Sequence, residues 1–261
     1  MSHLAKTSLR HVRLAAPSLS RNYNYNPIRT IKLASAVAQD PHTSTNTSAP
    51  APTPIPTPTP TTPKQPPVSH RAQEIDSLIS TLPLVQSLRA DASYIETRPH
   101  LAMNPTHRPA HFVAGSLSGT NKITVPPFMW CATTHHPERS SPKSRIVSVF
   151  HIGGQLCGHP GFVHGGLLGV MFDETFARCV SGSFPSGTGM TANLNVDYRK
   201  PAVPERLYVL QAETVKVEGR KAWVEGSLSS LQDGESLLVA EARALFVEPK
   251  FAESMVSLYR Q

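Results

Sequence analysis

Gly158-His-Pro-Gly-Phe-Val-His164-Gly165-Gly166-Leu-Leu-Gly-Val-Met-Phe-Asp173-Glu-Thr-Phe-Ala-Arg-Cys179 decides how this chain is read. Pro160 and Gly161 mark a loop. From Leu167 to Val180 the apolar side chains run nearly all round a helix, which places that helix inside a fold. Asp173 interrupts the apolar run, and a carboxylate among apolar neighbours needs partners or a purpose. At the helix start Gly165 and Gly166 leave backbone N–H groups unshielded, where the helix dipole favours negative charge. One helix therefore offers an oxyanion site at its N-terminus and a candidate base further along. Seven positions place Gly166 and Asp173 on one face, about 10 Å apart along the axis. Asp173 is then too far to act on a carbonyl held at Gly166 of its own helix. Two such helices packed antiparallel would bring Asp173 of one subunit to Gly166 of the other, the arrangement of a symmetric dimer with two shared sites.

Working outward, Met190–Arg199 follows the helix as a strand. Strict alternation puts Ala192, Leu194, Val196 and Tyr198 on one face and Thr191, Asn193, Asn195 and Asp197 on the other. Gly219-Arg220 is a hairpin signal between strands at Leu207–Glu218 and Lys221–Leu231, and Gln232–Glu235 is a second one leading to Leu237–Val247. These four long strands can form a consecutive antiparallel set. Upstream, Arg145–Ile152 alternates as a further strand. His135–Ser144 reads as a polar loop, and His111–Leu117 with Lys122–Trp130 reads as a strand pair. Pro126-Pro127 demotes part of the second strand to an edge or a bend. Ala90–Pro109 reads as irregular. Arg71–Ala90 has helical spacing at Ile75, Leu78, Ile79 and Leu82, with a break or two short helices expected at Pro83, and is expected to pack against the sheet. Phe251–Tyr259 is a candidate short helix.

His164-Gly165-Gly166, with Asp173 nine residues after the His, resembles the hotdog-fold acyl-CoA thioesterases of the phenylacetic-acid-degradation type. Gly158–Val163 and Thr191–Pro201 are similar to their mitochondrial thioesterase-superfamily members. The resemblance covers roughly Ser144–Pro249 and, more weakly, His111–Trp130. It implies an α+β hotdog fold, an antiparallel sheet wrapped around a long central helix. It further implies that the Gly166 N–H polarises a thioester carbonyl, that Asp173 from the partner subunit serves as base or nucleophile, and that Thr191 assists. Under this reading the candidate catalytic residues are Asp173, Gly166, Thr191 and His164, with His164 orienting the loop or capping the helix. The candidate substrate-binding residues are Gly165, His159, Asn193, Arg199 and Lys200, the last two toward coenzyme A phosphates. Some relatives carry an Asn six residues before the histidine; here Gly158 stands there, and His159 or Gln155 are its candidate replacements.

The competing readings are blander. Asp173 could be a structural carboxylate capped by Thr191, Thr191 an ordinary strand threonine, and Arg199 and Lys200 solvated strand-end charges. Glu174 with Arg178 at i+4 reads as a helix ion pair. The functional alternative is a non-catalytic acyl-CoA-binding or structural protein on the same fold. No G-x-S-x-G stretch supports a serine hydrolase. Cys131, Cys157 and Cys179 show no pairable spacing and read as free thiols. Cys157, His159 and His164 match no zinc pattern, so neither metal nor cofactor is expected.

The chain has 261 residues, 25 of them Pro, and a formal net charge of +7. The first 39 residues hold Lys6, Arg10, Arg13, Arg21, Arg29 and Lys32 without an Asp or Glu, leaving the remainder close to neutral. That composition gives no case for nucleic-acid binding. The segment 1–39, basic, Ser-rich and acid-free, has the composition of a mitochondrial transit peptide, so a mitochondrial, matrix location is expected. Residues 40–69 form a linker in which proline recurs at 50, 52, 54, 56, 58 and 60; such a segment favours extended polyproline II and buries no core. The expected organisation is completed by a helical extension at 70–110, the hotdog domain at 111–250 and a tail at 251–261. The expected partners are an acyl-CoA substrate and a second copy of the chain, as a homodimer or dimer of dimers. No stretch is long and apolar enough to cross a membrane.

Overall fold

A computed structural model describes residues 69–134, 143–232 and 235–255. These all fall in one compact unit, Thr62–Gln261. The basic N-terminal segment, nearly all of the proline-rich linker, most of the 135–144 loop, the Asp233-Gly234 turn and residues 256–261 lie outside the described residues.

Helix α1 spans His70–Thr81, capped by the Ser69 side chain accepting the Ala72 N–H. Pro83 opens helix α2, Pro83–Ala90. Proline fits a first helical turn because its missing N–H would be unpaired there, so of the two expected outcomes at Pro83 the chain forms two short helices. Strand β1 (Ile95–Thr97) and a short helix α3 (Pro99–Ala102) follow. The expected strand at His111–Leu117 is absent; Phe112–Ser116 is a π-helical turn. The His111 ring accepts the Ala114 N–H at 3.1 Å, a local side-chain-to-backbone bond that competes with strand pairing. Lys122–Val125 makes only isolated bridges at Ile123, to Ser118 and to Ile152, and strand β2 runs from Phe128 to Thr134, after Pro126-Pro127.

Strand β3 covers Lys143–Ile152. A small hairpin, β4 (Cys157–His159) and β5 (Phe162–Val163), turns through Pro160 and Gly161, the glycine at φ +82°. Helix α4 spans Gly165–Ser181. Strands β6 (Met190–Tyr198), β7 (Arg206–Glu218), β8 (Lys221–Gln232) and β9 (Glu235–Val247) follow. At the C-terminal end Ala252–Ser254 forms a 3-10 turn.

Apart from the β4-β5 hairpin, the strands make one antiparallel sheet in the order β1-β2-β3-β7-β8-β9-β6. The last four are therefore not a consecutive set: β7 zips onto β3, and β6 lies at the far edge beside β9. Burial explains the exchange. Strands β3 and β7 carry apolar residues on both faces, Val147 and Val149 with Ile146 and Phe150, Leu207 and Val209 with Tyr208 and Leu210, and belong mid-sheet beneath two covered faces. Strand β6 is largely exposed and suits an edge.

One face of the sheet holds α4, which lies against β3, β6, β7, β8 and β9. Met171, Phe172, Phe176 and Val180 of α4 are fully buried there, each worth about 1.5–3 kcal/mol of burial. The opposite face receives α1 and α2: Ile75, Ile79, Val85 and Leu88 pack on Phe128, Trp130, Val147, Val149, Leu207 and Val209. The helical extension thus packs on the sheet, as its spacing suggested. The chain has the hotdog architecture, α+β, with the central helix wrapped by the sheet.

Candidate active site on the central helix

The N-terminus of α4 is built around His164. Its Nδ1 accepts the Gly166 N–H at 2.9 Å, making it the N-cap. Two glycines leave room for its ring. A Cβ at Gly158 would come within 2.8 Å of the His164 Cδ2, and one at Gly166 within 2.9 Å of its Nδ1. Gly158 is therefore a glycine for a steric reason. Because Nδ1 accepts a hydrogen bond, the neutral ring carries its proton on Nε2. The Gly166 N–H has a partner inside the chain, so a ligand carbonyl would have to share or displace the His164 nitrogen.

Asp173 lies two turns along α4, half-buried, and its Oδ1 accepts the Thr191 hydroxyl at 2.5 Å. Strict alternation put Thr191 opposite Leu194; the structure does not. The β6–β9 register shifts between Thr191, opposite Phe246, and Asn193, opposite Leu245. Ala192 is the extra residue of a β-bulge, which resets the side-chain phase. Thr191 then shares the helix-facing side with Leu194 and Val196, which pack on the core, and with Tyr198. Asn193 falls on the other face with Asn195, whose side-chain amide donates to the Asn193 side-chain oxygen.

The remaining candidates are dispersed. Gly165 lies under Tyr198, whose hydroxyl donates to the Gly165 carbonyl at 2.8 Å. His159 is exposed, its Nδ1 bonded to the Pro160 carbonyl at 3.2 Å, and it meets neither Gly166 nor Asp173. Arg199 donates to Glu241 at 2.8 Å and lies 3.6 Å from Asp197, while Lys200 is exposed. The helix N-terminus and the Asp173–Thr191 pair are thus two separate features of one helix, about 10 Å apart by helix rise.

Sequence reading missed a second cluster, next to Asp173 in sequence. Glu174 accepts from His100 Nε2 at 2.8 Å, and His111 Nε2 stands 3.9 Å away. Burial pushes the Glu174 carboxyl up, but the His100 hydrogen bond and the charges of His100, His111 and Arg178 outweigh it and hold it below its ordinary range. Burial likewise depresses His111, against a smaller opposing effect of Glu174. The expected partner Arg178 is thus joined by two histidines from the preceding segment. The ligand-type atoms of His100, His111 and Glu174 lie within 4.8 Å of one another. They fit a metal poorly: His111 Nδ1 accepts the Ala114 N–H, so its proton sits on the nitrogen facing Glu174. A cavity of about 870 Å³ runs beside this cluster, lined by His111, Met129, Glu174, Arg178, Phe184 and Met255 among others; neither Gly166 nor Asp173 lines it.

Known proteins identify the family of this fold. The thioesterase superfamily model matches residues 160–237. An uncharacterized protein of Schizosaccharomyces pombe is 34% identical over 175 residues, 67% of this chain and 93% of that protein. The rat protein acyl-coenzyme A thioesterase THEM4 is 41% identical over 106 residues, 41% of this chain and 44% of its own length, so the chain spans less than half of it. An uncharacterized mitochondrial protein of Candida albicans is 28% identical over 148 residues, 56% of this chain and 63% of that protein. The matched residues contain the helix cap, Asp173 and Thr191, and with the sheet wrapped round α4 they place the chain in the thioesterase superfamily.

Proposed function

We propose that this chain hydrolyses acyl-coenzyme A thioesters to free acid and thiol, with Asp173 as the group that activates water. The observation that carries the reading is the Thr191–Asp173 hydrogen bond, set on the same helix face as the Gly166 N–H. A half-buried carboxylate fixed by one hydroxyl keeps its other oxygen for a water. That water attacks the thioester carbon and gives its proton to Asp173, the carbonyl oxygen becomes an oxyanion facing a backbone N–H, and the C–S bond breaks. Thiolate leaves readily, so no strong general acid is required. Direct attack by Asp173, through an anhydride hydrolysed later, uses the same atoms. Gly166 supplies the oxyanion N–H and His164 holds the turn that presents it.

The 10 Å between Gly166 and Asp173 supports a site shared between two subunits. Strand β6 pairs with β9 on one side only, and two β6 edges paired antiparallel would lay two α4 helices side by side in opposite directions. Each Asp173 would then face the partner's helix start. Arg199 and Lys200, beyond the end of β6, suit coenzyme A phosphates. The acid-free N-terminal segment and the mitochondrial relative support a mitochondrial protein, with import into the matrix and removal of a segment before the proline-rich linker.

A thiol-release assay across medium-chain and aryl acyl-CoAs tests the reading. Release by the wild type supports it; tight binding of acyl-CoA without release replaces the enzyme with a binding protein. Mixing Asp173→Asn with Gly166→Pro subunits, each inactive alone, should restore about one site per heterodimer. Full activity of a demonstrated monomer sinks the shared site. N-terminal sequencing of protein from isolated mitochondria checks processing, and an intact Met1 on cytosolic protein contradicts it.

A further inference from the structure

The peptide unit joining Gly165 to Gly166 is held at both ends. Its N–H, on Gly166, donates to His164 Nδ1 at 2.9 Å, and its carbonyl, on Gly165, accepts from the Tyr198 hydroxyl at 2.8 Å. Both bonds converge on the one planar group whose N–H the proposed mechanism directs at the thioester oxygen. Tyr198 reaches it from the last position of β6. Its backbone is fixed opposite Ala240, and the next two residues donate N–H groups to the Val239 carbonyl. Its ring lies along Gly165, where a Cβ would meet Cε1, Cζ and Oη at 3.5 Å.

We propose that Tyr198 is a positioning residue for the Gly166 N–H. Resting on the hydrolase reading above, the proposal names what aims the oxyanion donor. A proton donated to an amide oxygen draws electron density from the nitrogen, so the N–H of the same unit becomes a stronger donor. The bond also fixes the plane of the peptide, so the N–H keeps its direction when an incoming carbonyl oxygen displaces the His164 nitrogen. Tyr198 touches no reacting atom in this scheme. Its hydroxyl acts through the peptide, and the residue is 54% exposed, so removing that hydroxyl leaves the core intact.

The test is Tyr198→Phe in the full chain, with two readouts. The first is steady-state hydrolysis: kcat should fall about tenfold, the worth of one hydrogen bond of about 1.4 kcal/mol, while KM stays within about twofold and the melting temperature is nearly unchanged. The second needs no activity. The Gly166 amide proton, followed by NMR, should move upfield in the variant as its peptide loses polarisation, while amides of β8 hold their positions. Wild-type kcat together with an unmoved Gly166 resonance overturns the proposal. A fall in melting temperature with unchanged kcat and resonance also overturns it, since Tyr198 would then serve packing alone. If the wild type releases no thiol from any acyl-CoA, the hydrolase reading fails instead, and the Gly166 resonance by itself decides whether Tyr198 polarises this peptide.

Discussion

Asp173 and Glu174 are neighbours on one helix, yet they stand in opposite surroundings. Asp173 meets a single hydroxyl, from the edge strand β6, and stays partly open to solvent. Glu174, turned about 100° round the helix, is packed against His100, itself 3% exposed, with His111 and Arg178 adding charge. The first is the carboxylate that the proposed mechanism uses as its base. The other is tied to the segment before the domain and keeps its charge through partners. Under that proposal adjacent carboxylates on one helix divide into a chemical role and a structural one, according to what each side of the helix packs against.

The sharpest way to break that contrast is Asp173→Asn. It keeps the shape and the Thr191 contact but removes the charge, and hydrolysis should fall at least about 10²-fold, the lower end for loss of a positioned base, with the melting temperature held or raised. Undiminished kcat in a folded dimer would remove Asp173 from the mechanism. Glu174→Ala should show the reverse pattern. His100 loses its buried partner, which costs about 2 kcal/mol of stability, read as a lower denaturation midpoint, while kcat per folded molecule changes little. A variant as stable as wild type would show that the histidines do not depend on Glu174.

Thr191→Ala is a milder intervention on the Asp173 side. The loss of one orienting hydroxyl should lower kcat several-fold, on the order of 1 kcal/mol, with KM and stability nearly constant; an effect equal to that of Asp173→Asn would give the hydroxyl a direct part in the chemistry. The smallest effect is in pH. The folded carboxyl of Glu174 is held below its ordinary range, so the unfolded chain binds its proton more readily. This contribution to stability is complete above the ordinary glutamate range and is lost as pH falls through the folded value. Melting temperatures of Glu174→Gln should therefore decline less steeply than those of the wild type as pH falls below about 5. Parallel curves would count against the assignment.

What the sequence disclosed was local. The glycines, the cap at His164 and the apolar run fixed α4 because each signal lies within a turn or two of its neighbours. The strand limits from β7 to β9 were readable for the same reason. Phe112–Ser116 misled because its apolar pattern suits a strand, and only the His111 ring bound to the Ala114 N–H shows why the backbone coils instead. The His100–Glu174 contact joins residues 74 positions apart, and no spacing rule reaches that far. Nor did the pattern show β6 lying beside β9, which depends on β3 and β7 both being covered on two faces.

The bulge at Ala192 makes the Asp173–Thr191 pairing a matter of parity. Residues from Asn193 to Tyr198 keep their faces through the β9 ladder, while Thr191 keeps its own through Phe246. Taking Ala192 into the ladder as an ordinary residue would leave the strand regular but put Thr191 and Leu194, three positions apart, on opposite faces. Either Thr191 would turn outward, or Leu194, Val196 and Tyr198 would. Deleting Ala192 would instead leave Thr191 two ladder positions from Leu194 and still on its face, so in the evolution of this chain the bulge residue can be lost, but not straightened into the strand, without parting Thr191 from the face that Leu194 shares.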